Sequence, residues 1–349
     1  MNSSEIAKIV GVSRSTVSRV INGYSNVPLE TRIKVEAAIQ KYGYIPNNAA
    51  RNLAGKPSNT VGLFIIEYGS ISENIIHSSP FYSDFLVSAI DKLKRKGYQL
   101  LVSIINSQED FSMVATQFTN RSICGCVMMG DMIPNKVLEH LQSFGHPIFL
   151  INQRDSVPYK NTYLLNTENY RGAYSAVQLL VDHGHKRIAH ITGSMEKTSI
   201  KERFEGYRDC ILHNGLKFFN EYVYYTHIHR AESGYQAMKE ILRSNMTTPT
   251  AVFTANDLLA FGAMRALKED GIHIPQDISI IGYDNAELSQ YMSPPLTTVE
   301  VSTEKLTEIA VNCLMDVIHQ ESDVAKCLKM GDFTLIHRQS VATCKEPMA

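Results

Sequence analysis

A chain of 349 residues with 44% hydrophobic and 20% charged residues is globular in composition, too long for one ordinary domain, and amply supplied for a core. Its net charge of −1 hides a division: residues 1–57 hold eight Lys/Arg against three Asp/Glu, or +5, and the rest 26 against 32, or −6. A basic head on an acidic body suits a head that meets a polyanion, while the absence of any apolar run near ~20 residues excludes a membrane span.

The start, MNSSEIAKIV, lacks the basic-then-apolar pattern of a secretory signal, so a cytoplasmic protein is expected. The six cysteines show no metal spacing and read as reduced core thiols. In chain order, Ser4 can cap a first helix in which Ile6, Ala7 and Val10 line one face. Gly11 and Val12 make a tight turn, and Ser13 can cap a second helix that buries Val17, Val20 and Ile21. Arg14, Ser15, Ser18 and Asn22 fall on its other face, and Gly23 stops it. A third helix follows Pro28, with Val35, Ala38, Ile39 and Tyr42 along one side, and ends at Gly43.

Two short helices around a Gly turn, braced by a third, form the helix-turn-helix plan, whose second helix enters the major groove. Arg14 can then donate bidentately to a guanine and Ser15 can contact several bases. Thr16, Ser18, Arg19 and Asn22 are better placed for phosphates or the far edge of the site. The pattern alone leaves open a small bundle with a merely solvated basic face. Next comes NNAARNLAGKP, residues 47–57, about two turns of helix with a cap at Asn47, stops at Gly55 and Pro57, and an exposed Leu53. A plain linker would prefer Gly and Ser to this Ala-rich stretch.

Beyond Pro57, apolar strand-like runs alternate with amphipathic helices. The runs are TVGLFII, YQLLVSII, CGCVMM, PIFLIN, RIAHIT, TAVFTA and ISIIGYD. Helices are expected near residues 81–96, 170–183, 201–214, 233–243 and 257–270. Continuous Val/Ile/Leu strands between helices indicate parallel sheets covered on both faces, here enough for two doubly wound lobes. Ligands bind such sheets at the carboxyl ends of the strands. There the chain places Asn256 and Asp257 after AVFTA and Asp284 after ISIIGY, while Arg203 opens the helix RFEGYRD. A carboxylate, a guanidinium and an amide together satisfy adjacent sugar hydroxyls, and Phe81, Tyr82 and His229 are candidates to cover a sugar ring. Asp257 reads better as the cap of a helix beginning at Leu258 than as a ligand contact. His183, His185 and His190 lie at a helix end and in a strand, which speaks against a metal site. No H-E-x-x-H, phosphate loop or G-x-S-x-G occurs, and no nucleophile stands beside a base, so neither catalysis nor a cofactor is expected.

The stretch from Val10 to Lys56 resembles the headpiece of the LacI/GalR family of bacterial transcription regulators. Its V-S-x-x-T-V-S-R-V-x-N core appears as Val12-Ser13, Thr16 to Val20 and Asn22, and its T-R-x-x-V helix as Thr31-Arg32 and Val35. The Y-x-P-N-x-x-A-x-x-L hinge appears as Tyr44, Pro46-Asn47, Ala50 and Leu53. The resemblance runs through nearly the whole chain; Glu5 stands where Asp is frequent. It implies an all-α helix-turn-helix head (1–46), a hinge helix (47–57) and a two-lobed body resembling periplasmic binding proteins (58–349). One lobe would take about residues 58–161 and 302–322, the other about 162–294 and 323–340, with a last helix near Glu304–Gln320.

The resemblance also implies which residues touch DNA: Ser4, Ser13, Arg14, Ser15, Thr16, Ser18, Arg19, Asn22, Asn26 and Tyr44 in the head. In the hinge they are Asn47, Ala50, Arg51, Leu53 and Ala54, with two hinge helices paired in the minor groove and Leu53 wedged between base steps. For an effector it supports Arg203 (three positions before Gly206-Tyr207), Asn256 and Asp284 residue by residue, with His229 at a position often aromatic in relatives. The expected protein is a repressor that binds a pseudo-palindromic operator as a homodimer under control of a sugar-like effector. No leucine-rich tail follows the last strand, which favours a dimer over a tetramer. A sugar receptor or a carbohydrate-acting enzyme is the rival; the first would have no use for the head, and the second lacks catalytic groups.

Overall fold

The computed structural model describes residues 2–21, 24–44, 58–68, 79–153, 161–226, 230–244, 247–320, 327–330 and 332–345. Asn22, His229 and the whole hinge stretch lie outside the described residues. The chain forms two compact units, a small head and a large body.

The head holds α1 (Ser3–Val10), α2 (Arg14–Ile21) and α3 (Leu29–Lys41). The cap of α1 is Asn2, not the expected Ser4. Asn2 Oδ1 accepts from the Ser4 and Glu5 amides at 3.0 Å, and Glu5 returns a carboxylate to the Asn2 amide at 2.9 Å. Glu5 decides between the two, because this reciprocal box needs the cap three residues before the acid. Gly11 takes a left-handed φ of 74° and turns the chain into α2. Ile6, Val17 and Val35 are fully buried at the centre, with Ala7, Val20, Val27 and Ala38 around them.

The body holds two six-stranded sheets. The first has the order β2 (Gln99–Ile105), β1 (Thr60–Ile66), β3 (Gly125–Gly130), β4 (Ile148–Ile151), β5 (Thr162–Thr167) and β11 (Cys327–Met330), all parallel. The second runs β7 (Val223–Tyr225), β6 (Ile188–Thr192), β8 (Ala251–Thr254), β9 (Ser279–Tyr283), β10 (Thr297–Glu300) and β12 (Thr334–Ile336), with only β12 antiparallel. The first lobe carries α4 (Pro80–Arg95), α5 (Phe111–Thr119) and α6 (Asn135–Gln142). The second carries α7 (Asn169–Asp182), α8 (Thr198–His213), α9 (Ala231–Arg243) and α10 (Asp257–Glu269), and α11 (Thr303–His319) follows β10.

The chain crosses between sheets later than its pattern suggests. Residues 162–167 extend the first sheet as β5 and residues 327–330 close its edge, although both ranges were expected in the second lobe. For β5 the cause is composition: it reads TYLLNT, so buried Thr162, Asn166 and Thr167 interrupt the apolar run that marks a parallel strand, and β10 (TTVE), with buried Thr297 and Thr298, is hidden in the second sheet in the same way. Fixed partners satisfy several of these groups; Thr298 Oγ1, for one, donates to Asp257 Oδ1 at 2.6 Å.

Candidate DNA interface and effector cleft

On α2, Ser13 Oγ accepts from the Thr16 amide at 3.0 Å and lies 2.6 Å from Ser15 Oγ and 2.8 Å from Thr16 Oγ1. That cap fixes where the helix begins and therefore which face Val17 and Val20 bury. The opposite face is left to Arg14, Ser15, Ser18 and Arg19, all exposed. Arg14 Nε donates to Ser3 Oγ at 3.2 Å, tying the start of α2 to α1. Ser4, Ser13 and Asn26 are exposed too, whereas Thr16 is half-buried and Tyr44 packs against the head's core. A short polar helix face carrying two guanidinium groups can donate to base edges and phosphates.

In the body, Arg203 lies in the second turn of α8 and is the hub of a polar cluster. Its Nη1 sits 3.2 Å from Asp284 Oδ1 and donates to the Ala255 carbonyl at 2.6 Å. Its Nε donates to Asn169 Oδ1 at 3.0 Å, and the guanidinium lies 3.7 Å over the Tyr283 ring. Asp284 directly follows β9 with φ 103°, a strained value that the Asp284 amide's 2.8 Å bond to the Val299 carbonyl helps to hold. Burial raises its pKa above the usual carboxylate value, although Arg203 pulls the other way. Asn169 connects the cluster further, donating to Thr167 Oγ1 at 2.9 Å and to Glu202 Oε2 at 3.2 Å.

The cap expected at Asp257 is made by Asn256. Asn256 has extended backbone and caps α10, its Oδ1 accepting from the Leu259 amide at 2.9 Å. Asp257, buried at 1% exposure, instead accepts from the Ala286 amide (2.7 Å), Ser289 Oγ (2.6 Å) and Thr298 Oγ1 (2.6 Å). It thereby fastens the loop that carries Asp284. Burial pushes its carboxyl up to about 7, with these hydrogen bonds pulling down. Tyr82 is buried and meets half-buried Phe81 edge-on at 5.5 Å. Its phenol is pushed up to about 12, first by burial; Lys197 opposes this, while Glu67, Asp131 and Asp284 add to it.

Those charges identify a second cluster that sequence reasoning missed. Lys197, from the second lobe's β6–α8 connection, pairs across the cleft with Glu67 Oε2 and lies 3.7 Å from Asp131 Oδ1. Glu67 directly follows β1 and Asp131 directly follows β3, the same strand-end position that singled out Asp284. Asp131 is held by the Tyr68 amide at 2.6 Å, and Gln153 Nε2 donates to the Gly130 and Asp131 carbonyls at 3.2 Å. Burial raises both carboxyls, while Lys197 offsets it. Burial alone would lower the Lys197 ammonium, but Tyr82, Glu67 and Asp131 outweigh it and hold its pKa above the ordinary lysine value.

His183, His185 and His190 serve the fold. His183 Nδ1 donates to the Leu179 carbonyl at 2.8 Å, His185 bridges Thr250 and Ala342, and His190 stacks on Phe253 with Nδ1 donating to its carbonyl. Burial holds His190 down at about 4, so it stays neutral. Among the described residues no group of three potential ligands could hold a metal, and no helix is long and apolar enough to cross a membrane.

A helix-turn-helix head followed by two parallel α/β lobes with a polar cleft defines a ligand-responsive DNA-binding regulator. Residues 4–47 match the family described as bacterial regulatory proteins, lacI family, and residues 177–341 match the periplasmic binding protein-like domain. The chain is 33% identical to the HTH-type transcriptional repressor PurR of Pasteurella multocida over 339 residues, 97% of either chain. It is 30% identical to the HTH-type transcriptional regulator CelR of Thermobifida fusca over 317 residues, 91% of this chain and 92% of that one. Among solved structures it is similar to a lac repressor dimer bound to operator and the anti-inducer ONPF, with TM-score 0.83, 26% identity, and 98% and 99% of the two chains covered. A CelR–cellobiose complex matches with TM-score 0.72, 28% identity, and 97% and 99% covered. The chain belongs to the lacI family of bacterial regulatory proteins. It is a transcription regulator, not an enzyme.

Proposed function

We propose that this regulator represses transcription as a homodimer on a pseudo-palindromic operator, and that a carbohydrate or carbohydrate derivative in the cleft controls its affinity for DNA. The observation that carries the effector reading is the Arg203–Asp284 pair beside Tyr283, Asn169 and Ala255, where strand ends and helix starts converge. Such a set offers paired donors and acceptors to vicinal hydroxyls. A relative solved with cellobiose supports the carbohydrate class.

For DNA we assign the exposed α2 side chains Arg14, Ser15, Ser18 and Arg19, with Ser4, Ser13, Thr16, Asn22, Asn26 and Tyr44 around them. Asn47, Ala50, Arg51, Leu53 and Ala54 complete the set through the hinge, by resemblance. For the effector we retain Arg203, Asp284 and Asn256, with Phe81, Tyr82 and His229 as the apolar side. We place the head at 1–46, the hinge at 47–57 and the body at 58–349, with the first lobe extended to residue 167 by β5.

The test is an operator-binding titration with and without effector, on wild type and Asp284→Ala. The variant should bind operator within about twofold of wild type and lose the effector response, because the site for DNA lies in another unit. An unchanged effector response would remove Asp284 from the site.

A further inference from the structure

Among the described residues Lys197 is the sole ammonium inside the cleft cluster, and it faces two carboxylates. The side chains of Lys197, Glu67 and Asp131 are only 10%, 17% and 8% exposed. Arg203 already balances Asp284, so these five groups hold two positive charges and three negative ones. Among the described residues, charges farther out do not correct the excess. Arg230 attracts Glu67, but Glu196 repels Asp131, and Glu202 adds a further carboxylate beside Asn169. The starts of α7 and α8 lend partial positive charge, but Asn169 and Lys197 stand there already engaged with protein partners.

A phosphate brought into this cleft would lose its water next to surplus carboxylates, and it could gain a cation only by stripping Lys197 from Glu67 and Asp131. A buried charge in that position is strongly unfavourable. A hydroxyl meets the opposite situation, because it donates to a carboxylate in a charge-assisted bond and needs no counter-ion. Thr192 Oγ1 at the end of β6 and Thr198 Oγ1 at the start of α8, on either side of Lys197 in the chain, are buried, make no hydrogen bond and supply no charge.

We propose that Glu67, Asp131 and Lys197 form a charge filter in the effector cleft, which admits uncharged polyhydroxylic ligands and rejects phosphorylated ones. This rests on the cleft being the effector site and narrows its ligand class.

Inorganic phosphate tests the filter without knowledge of the effector. Thermal midpoints of the full chain are measured in phosphate and in chloride of equal ionic strength, for wild type and for Glu67→Gln with Asp131→Asn. Any phosphate held by the basic head is common to both proteins and cancels in the difference. The double variant should gain more from phosphate than wild type does, because Lys197 is released and the cleft excess turns positive. Equal gains would overturn the proposal. Glu67→Gln alone, which keeps the Asp131 partner, guards against a double variant that fails to fold and should show a smaller gain of the same sign.

A second arm uses matched probes on wild type: ribose with ribose 5-phosphate, and glucose with glucose 6-phosphate. The neutral member of a binding pair should bind at least about tenfold more tightly than its phosphate. A phosphate that binds as tightly as its parent sugar overturns the filter and keeps the effector reading. A phosphate-gain difference in a protein that neither ribose nor glucose stabilises supports the filter and counts against the carbohydrate effector.

Discussion

Asp257 shows how one side chain can serve a site it does not enter. Its two oxygens take three hydrogen bonds from the stretch between Ala286 and Thr298, which fixes the position of Asp284 and hence of Arg203. Asp257→Ala would strand a buried amide and two hydroxyls, each costing about 1–3 kcal/mol, so a loss of about 3 kcal/mol or more is expected in denaturant unfolding. Asp257→Asn keeps the shape and removes the charge. Its effect depends on pH, because the folded carboxyl is pushed up to about 7 by burial while an unfolded one titrates near about 3.9. The folded state holds the proton more tightly. That stability is therefore fully present below the unfolded value and is lost as pH rises through the folded one. Relative to wild type, Asp257→Asn should gain thermal stability as pH climbs from about 4 to about 7, then level off; a difference that stays constant with pH would refute the assignment. The sequence made Asp257 legible as important but misplaced its task. Asn and Asp cap helices equally well, and a one-residue shift in the start of α10 leaves no trace in A-N-D.

At the scale of elements, the pair α9 and α10 crosses through two glycines. A Cβ on Gly262 would collide with the Ala231 carbonyl and the Tyr235 amide, and one on Gly234 with the Leu259 backbone. Both are in helices, where glycine costs about 1 kcal/mol relative to alanine, so close approach of the backbones is what they provide. Gly262→Ala should therefore destabilise by about 3 kcal/mol or more despite its better helix propensity. Gly97, with φ +79° and open space around it, is a control in which alanine should cost only about 1–2 kcal/mol. Similar midpoints for the two variants in urea unfolding would show that the crossing has room to spare. Alternating runs such as TVGLFII and ISIIGYD made the parallel sheets readable, and the last helix was expected within a residue of its ends. The polar strands β5 and β10 were not readable, because their hydrogen-bond partners, such as Asp257 and Ser340, come from distant parts of the chain. The strand-end rule that found Asp284 also fits Glu67 and Asp131. Lys197 was beyond it, since only the fold brings residue 197 to residues 67 and 131.

For the whole molecule, the charge division and the head motif were visible before any fold, and they assign DNA to one unit and the small molecule to the other. Two binding sites in one protein are bound by reciprocity. If effector changes operator affinity by some factor, saturating operator must change effector affinity by the same factor, because both paths join the same four states. The two equilibria should nevertheless differ sharply in their response to salt. Operator binding releases counter-ions, and its logarithmic salt slope should be about −0.9 for every phosphate neutralised by the eight Lys/Arg of residues 1–57. An uncharged effector in a cleft of mostly buried ion pairs releases none, so its affinity for free protein should be nearly flat across the same range. Calorimetric titration of effector with and without operator, at two salt concentrations, measures all four quantities. The coupling factor should agree in both directions at each salt, and Asp284→Ala should reduce it to one in both. A factor that appears in the operator titration but not in the calorimetric one would mean that the small molecule acts outside the cleft, on the DNA-binding unit itself.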